Sequence, residues 1–146
     1  MRSFAEALRR GCQVELDIDP GEILGGLQPR NVDNTLTAGI YLADSLENGA
    51  GFATELTDPA RLRDILEKVV HNLGLHWHRP EHADCDTSCT DCLRSYDNRF
   101  YHAHLNWRLA LDVAELALGQ GLDLTRWSTM STVAATQFVR TYAPAL

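Results

Sequence analysis

Apolar residues recur at three- and four-residue intervals in four stretches of the chain, and that spacing predicts helices with one face turned to a core. The first opens at Ser3-Phe4-Ala5-Glu6-Ala7-Leu8-Arg9-Arg10, where Ser3 and Glu6 have the spacing of a capping box. Phe4, Ala7, Leu8, Cys12 and Val14 or Leu16 fall on its stripe, which makes Cys12 a small buried hydrophobe. Asp19-Pro20-Gly21 ends that element, Glu22-Ile23-Leu24 suits a short helical turn, and Gly25-Gly26 breaks the chain again. Leu36 to Ala43 is rich in strand formers and predicts a buried strand. Turn-forming residues precede it from Gln28 to Asn34, with a partner strand expected near Gly26 to Arg30.

A glycine-containing connection, Asp44 to Gly51, then allows a tight passage into a short helix over Phe52 to Leu56. Thr57-Asp58-Pro59 caps a longer helix whose stripe is Leu62, Ile65, Leu66, Val69, Val70 and Leu73, with Gly74 as its stop. A further helix is expected from about His102 to Leu118, with Leu105, Leu109, Val113, Leu116 and Ala117 inward and Gly119-Gln120-Gly121 at its end. The last runs from about Ser131 to Tyr142. The expected fold is α+β and mostly helical: a small strand or hairpin element, and helices joined by the irregular segment between Trp77 and Phe100.

That segment carries the chemistry. Cys85, Cys89 and Cys92 stand in a Cys-x3-Cys-x2-Cys spacing with His82 three positions upstream. A tetrahedral zinc ion needs four thiolate or imidazole ligands, and spacings this short let one turn supply most of them. Small and polar spacers (Asp86, Thr87, Ser88, Thr90, Asp91) suit such a turn. His82, Cys85, Cys89 and Cys92 therefore read as a closed structural site for one Zn2+, with His78 and Cys12 as the other candidates for the fourth ligand. A local Cys85–Cys89 disulfide is the competing reading. It is disfavoured because the chain does not open with a basic segment and an apolar run, so no export is expected.

Composition narrows the function. With 146 residues the chain reads as a single domain, 1–146, able to bury roughly 70% of its unfolded surface. No apolar run is long enough to cross a membrane, and a cytoplasmic location is expected. The single lysine, Lys68, follows no glycine-rich loop, so a Walker A site is absent from this sequence. Neither a Gly-x-Ser-x-Gly elbow nor a zinc-deaminase pattern occurs. A net charge of −7 argues against a freestanding phosphate-binding domain.

From Cys89-Thr90-Asp91-Cys92-Leu93-Arg94-Ser95-Tyr96-Asp97-Asn98 through His102, Leu105 and Trp107-Arg108-Leu109-Ala110-Leu111-Asp112, the sequence resembles the MrfA-type zinc-binding (MZB) domain. That module is found at the C-terminus of superfamily 2 DEAD/DEAH-box helicases of DNA repair and in the DrmB component of the DISARM anti-phage system. The Leu-x-Trp-Arg-Leu-Ala-Leu-Asp ending is similar to the DrmB branch. Ile40 to Asp44, Asn48 to Ala53, and Leu16 to Pro20 with Glu22 are also similar to the family. Ala83 stands where the family usually has a first cysteine, and the neighbouring His82 is therefore the choice for fourth ligand. Asn106 replaces an expected aspartate.

The resemblance implies a non-catalytic zinc module of a helicase-containing DNA-repair or anti-phage complex. Its expected partner is a helicase/ATPase subunit, with DNA contacted through the complex. A second reading is autonomous nucleic-acid binding, since Arg79, Arg94, Arg99 and Arg108 lie near Trp77, Tyr96, Tyr101 and Trp107. Against it, Glu81, Asp84, Asp86, Asp91 and Asp97 are interleaved. Candidate contacts to nucleic acid or a partner are Arg79, Arg94, Tyr96, Arg99, His102, Trp107 and Arg108. A third reading, a zinc hydrolase, would leave His82 off the metal and make His102 or Asp97 the base.

Overall fold

The computed structural model describes residues 1–46, 51–71 and 75–128. Helix α1 (Arg2–Glu15) is followed by strands β1 (Ile23–Val32) and β2 (Thr35–Asp44), which pair antiparallel from Ile23 opposite Asp44 to Val32 opposite Thr35. Then come α2 (Phe52–Glu55), α3 (Pro59–Val70), α4 (Trp107–Ala117) and α5 (Thr125–Ser128), with 3-10 turns at Pro80–His82 and Arg99–His104. The expected fold class, α+β and mostly helical with one hairpin, is what the chain forms.

Helix α1 is the central element, packing on α3, α4 and β1. Phe4, Ala7, Leu8 and Cys12 are buried together with Ile65, Val69, Ala110, Leu111 and Ala114. Gly11 permits the α1–α3 approach, because a Cβ there would lie 2.3 Å from Cγ2 of Val69. The capping box is not formed. The helix begins at Arg2, early enough to bury Ser3 and Glu6. Ser3 Oγ instead accepts from the amide of Asn106 at 3.0 Å, and Glu6 accepts from Asn98 at 3.0 Å. At the other end, Asp17 takes a positive φ of 52° and the amide of Ile18 reaches back to Gln13 O at 3.0 Å, a Schellman-type stop.

The hairpin corrects several expectations. Glu22-Ile23-Leu24 is not helical, and Gly25-Gly26 lies inside β1 instead of breaking the chain. The turn is confined to Asp33 and Asn34, both at positive φ (50° and 62°), the pattern of a two-residue type I′ loop. Strand β2 is not buried: its Thr35 to Ala38 half is exposed, as is the facing half of β1.

Helix α3 follows the expected cap, with Asp58 accepting from the amide of Ala60 at 2.9 Å and Pro59 in the first turn. Ile65, Leu66 and Val69 are buried, with Leu62 and Val70 partly so. Helix α4 starts at Trp107, not near His102, with Asn106 capping through a 2.9 Å bond from the amide of Arg108. Its inward face is Arg108, Ala110, Leu111, Ala114, Glu115 and Leu118; of the expected stripe Leu105 is buried and Val113 packs partly on the core, while Leu109, Leu116 and Ala117 are exposed. The buried charges explain the difference: Arg126 pairs with Asp112 at 2.9 Å and with Glu115, drawing α5 onto that face. Gly119 ends the segment at φ 74°. Leu73 of the α3 stripe, the stop at Gly74 and the helix expected over Ser131 to Tyr142 lie outside the described residues. Among the described residues no helix is long and apolar enough to cross a membrane.

Candidate metal centre

The chain enters the site from α3 through Trp77, whose indole N–H donates to Val69 O at 2.9 Å. Pro80 starts a single 3-10 turn that ends at His82, and the amide of Cys85 closes onto His82 O at 3.0 Å. Cys89 to Cys92 makes the next tight turn, with the amides of Cys92 (3.3 Å) and Arg94 (2.9 Å) both donating to Cys89 O. These two turns bring the ligand atoms of His82, Cys85, Cys89 and Cys92 within 4.8 Å of one another. Neither His78 nor Cys12 belongs to this cluster. His78 is exposed, with a ring nitrogen 3.5 Å from Val70 O, and Cys12 lies in the core beneath α1. All four cysteines are free thiols, so the disulfide is not formed.

Three features test whether zinc fits. The Sγ atoms of Cys89 and Cys92 are 3.7 Å apart. Two thiolates on one tetrahedral zinc at ~2.3 Å would be about 3.8 Å apart. His82 is 3% exposed, yet neither of its ring nitrogens has a hydrogen-bond partner. A buried imidazole left so is costly unless another group takes up a lone pair, and a metal ion does that. Finally, the thiols share charge unevenly. Hydrogen bonding from Cys85 pulls Cys92 down to about 5, and the same bond pushes Cys85 well up. The amide of Cys89 also donates to Cys92 Sγ, at 3.1 Å. The cluster already favours one thiolate, the form that binds a metal.

Around the cluster the irregular chain is fastened by side chains from distant elements. Arg10 of α1 donates to Thr90 O at 3.0 Å and Cys92 O at 2.8 Å. Trp107 donates its indole N–H to Cys85 O at 2.8 Å, and its amide to Thr87 O at 2.8 Å. Arg108 donates to Asp86 O at 2.5 Å and to Arg126 O at 2.7 Å. The imidazole of His82 sits edge-on to Trp107 (5.1 Å, 69°) and Trp77 (6.3 Å, 71°), which stack on each other at 6.2 Å. The two indoles therefore set the orientation of the ring.

The candidate contact residues separate into two groups. Tyr96, Arg99 and Arg79 are exposed. Arg108 is 1% exposed and Trp107 half-buried, and both bond to carbonyls of the turn and so hold the centre. Arg94 is half-buried and donates to Ser88 Oγ at 2.9 Å. His102 is also half-buried, its Nε2 facing Ser95 O (3.0 Å) and Asn98 Oδ1 (2.9 Å), two acceptors that require Nε2 to carry the proton. Sequence reasoning missed Arg10 and the buried Glu6–Asn98 pair that ties the segment after Cys92 to α1. Nothing local marks them, because each acts on a partner some 80 or more residues away in sequence.

A hairpin, three packed helices and a cluster of one histidine with three cysteines define a small α+β zinc-binding domain. The profile described as MZB, MrfA Zn-binding domain, matches residues 4–93, and the chain belongs to that family. The match takes in all four clustered residues and ends before α4. Over 120 residues the chain is 34% identical to the Druantia protein DruE of Escherichia coli (strain UMEA 4076-1). The aligned part is 80% of this chain and 6% of that protein. No solved structure matches the chain.

Proposed function

We propose that His82, Cys85, Cys89 and Cys92 hold one zinc ion in a closed structural site. We further propose that the chain serves as the non-catalytic zinc module of a helicase-containing DNA-repair or anti-phage defence complex in the cytoplasm. The carrying observation is the cluster of three thiols around a buried imidazole with both nitrogens unsatisfied. Four protein ligands leave a tetrahedral ion no position for water, so the metal's work is to fix the chain and not to activate a nucleophile. His102 supports this reading over the hydrolase, since its Nε2–H is already directed at two oxygens, those of Ser95 and Asn98.

The family and the likeness to a Druantia protein favour a defence machine; DISARM, suggested by the Leu-x-Trp-Arg-Leu-Ala-Leu-Asp ending, is another such setting. The partner in this reading is a helicase-type ATPase, docked on the face that the metal makes rigid, with DNA handled within the complex. A preordered surface binds with less entropy lost. The test is copurification from the native host. The chain should bring down one zinc per copy and a helicase-type ATPase, and show no ATPase activity alone. Cys89→Ser with Cys92→Ser should abolish both metal and partner, whereas Glu55→Gln in α2 should retain both. A metal-free, fully folded wild-type chain would overturn the zinc assignment, and zinc-loaded chain without such a partner would overturn the assembly.

A further inference from the structure

Beyond the arginines that fasten the zinc turn, the cations of this acidic chain differ in their surroundings. On and beside α3, Arg61, Arg63 and Lys68 are each neutralised by carboxylates: Glu15, Asp64 or Glu67. Arg2 and Arg99 instead lie over aromatic rings and, among the described residues, form no ion pair. Arg99 is 4.3 Å from the ring centre of Tyr96 and 4.5 Å from that of Phe100; Arg2 is 4.2 Å from that of Tyr101. The first two rings are open to solvent, with Tyr96 78% and Phe100 75% exposed.

This surface continues into a groove of about 560 Å³ that Arg2 and Tyr101 share with Gly26 and Tyr41 of the hairpin, with Asp97 and the Glu6–Arg9 pair also on its wall. A Cβ at Gly26 would lie 2.6 Å from the Tyr41 hydroxyl, so the phenol rests across the glycine. The groove's volume is in the range of small-molecule sites.

We propose that Tyr96, Arg99, Phe100 and Tyr101, with Arg2 and Tyr41 at the groove, form a stacking platform for single-stranded nucleic acid. This rests on the DNA-handling part of the proposed function and assigns it a surface. Exposed rings offer faces to unstacked bases, and guanidiniums without carboxylate partners offer charge to phosphates. A duplex keeps its bases stacked on one another and so cannot use the rings. In a chain of net charge −7, Arg2 and Arg99 bring positive charge directly against these rings.

The experiment uses the zinc-loaded chain and fluorescence anisotropy with a labelled oligodeoxythymidine and a mixed-sequence duplex. The single strand should bind more tightly than the duplex. Phe100→Ala and Tyr96→Ala should each weaken it about 10-fold or more. Phe100→Trp should preserve binding, and Arg99→Gln should lower the salt slope by about 0.7. Arg63→Gln on α3 makes the same charge change and should leave affinity within about twofold. Zinc content measured on every variant separates loss of the platform from loss of the fold. Equal losses in Arg99→Gln and Arg63→Gln, tighter duplex binding, or no binding to the oligonucleotide would each overturn the platform and leave the zinc reading standing. If Phe100→Ala releases a helicase-type subunit while oligonucleotide affinity is unchanged, the surface is a protein-docking site and the proposal also fails.

Discussion

The segment from His82 to Cys92 and the outer half of the hairpin, from Gln28 to Gly39, are similar in length and are held in opposite ways. The first has almost no regular backbone pairing. It is fastened by Arg10, Trp107 and Arg108, which bond to its carbonyls from α1 and α4, and by four residues converging on one point. The second has a continuous antiparallel ladder and little else, with Pro29 to Ala38 exposed throughout. Regular secondary structure is thus no guide here to which region is fixed. An isolated two-stranded hairpin is marginal in water. The irregular turn is held by side chains that bond to its carbonyls from two helices.

The largest expected effect comes from removing the convergence itself. Cys89→Ser with Cys92→Ser, or chelation, should eliminate zinc and the cooperative thermal transition. Structural zinc contributes roughly 10–16 kcal/mol in small metal-folded peptides, more than the whole stability of most domains. Metal analysis and circular dichroism read both losses. A retained transition would mean that the arginine and tryptophan anchors suffice without the ion.

Those anchors are next in size. Arg108→Met keeps the packing volume but leaves Asp86 O and Arg126 O without their donor. Hydrogen bonds from a charged donor are each worth about 1.5–3 kcal/mol, so a loss of about 3 kcal/mol is expected in chemical denaturation. Arg108→Lys should restore only part of it, since one ammonium cannot reproduce the forked geometry. A change below about 1 kcal/mol would show that the metal alone fixes the turn.

The two regions are also unequally legible in the sequence. The ligands are readable because metal spacing is local: Cys85, Cys89 and Cys92 fall within eight positions, and the histidine stands just upstream. The α3 stripe is readable because Ile65, Leu66 and Val69 repeat at the helical period and all point inward. Strand β1 is obscured by Gly25, Gly26 and Pro29, poor strand formers placed by pairing with β2 and, at Gly25, by close approach to Arg9 of α1. The face of α4 escapes because Glu115 is buried in an ion pair with Arg126 and Arg108 is buried while donating to backbone carbonyls. Hydrophobic periodicity has no means of registering an inward arginine, and it assigns Leu109 and Leu116 to the core instead.

Cys12 gives a smaller effect with a definite sign. Burial pushes its thiol up to about 12 from an ordinary 9.0. Between those values the unfolded chain releases a proton that the folded chain keeps. Stability therefore falls as pH rises above 9.0, by about 1.4 kcal/mol per unit, and this contribution is flat below. Cys12→Ala should remove that part of the slope. Cys12→Ser should cost about 1–3 kcal/mol through its buried hydroxyl and leave zinc content unchanged. Loss of metal in either variant would place Cys12 among the ligands, against the geometry.

The smallest effect belongs to the outer hairpin, and it closes the contrast with the zinc turn. Leu36 is 78% exposed near the tip, opposite Asn31, with no core beneath it. Leu36→Lys removes no packing and leaves the backbone ladder intact, so thermal stability should change by less than about 0.5 kcal/mol. Zinc content should be unaffected, because the anchors of the cluster come from α1 and α4 and not from the outer hairpin. The Asp33-Asn34 loop offers a matched control. Asn34 sits at φ 62°, where glycine is equally at home, so Asn34→Gly should likewise leave the fold unaltered. Denaturation curves for the two variants should overlay that of the wild type. A loss above about 2 kcal/mol from Leu36→Lys, several times what an exposed site gives, would show that the leucine is covered in solution. The hairpin would then have to be counted with the zinc turn among the regions held by tertiary contact.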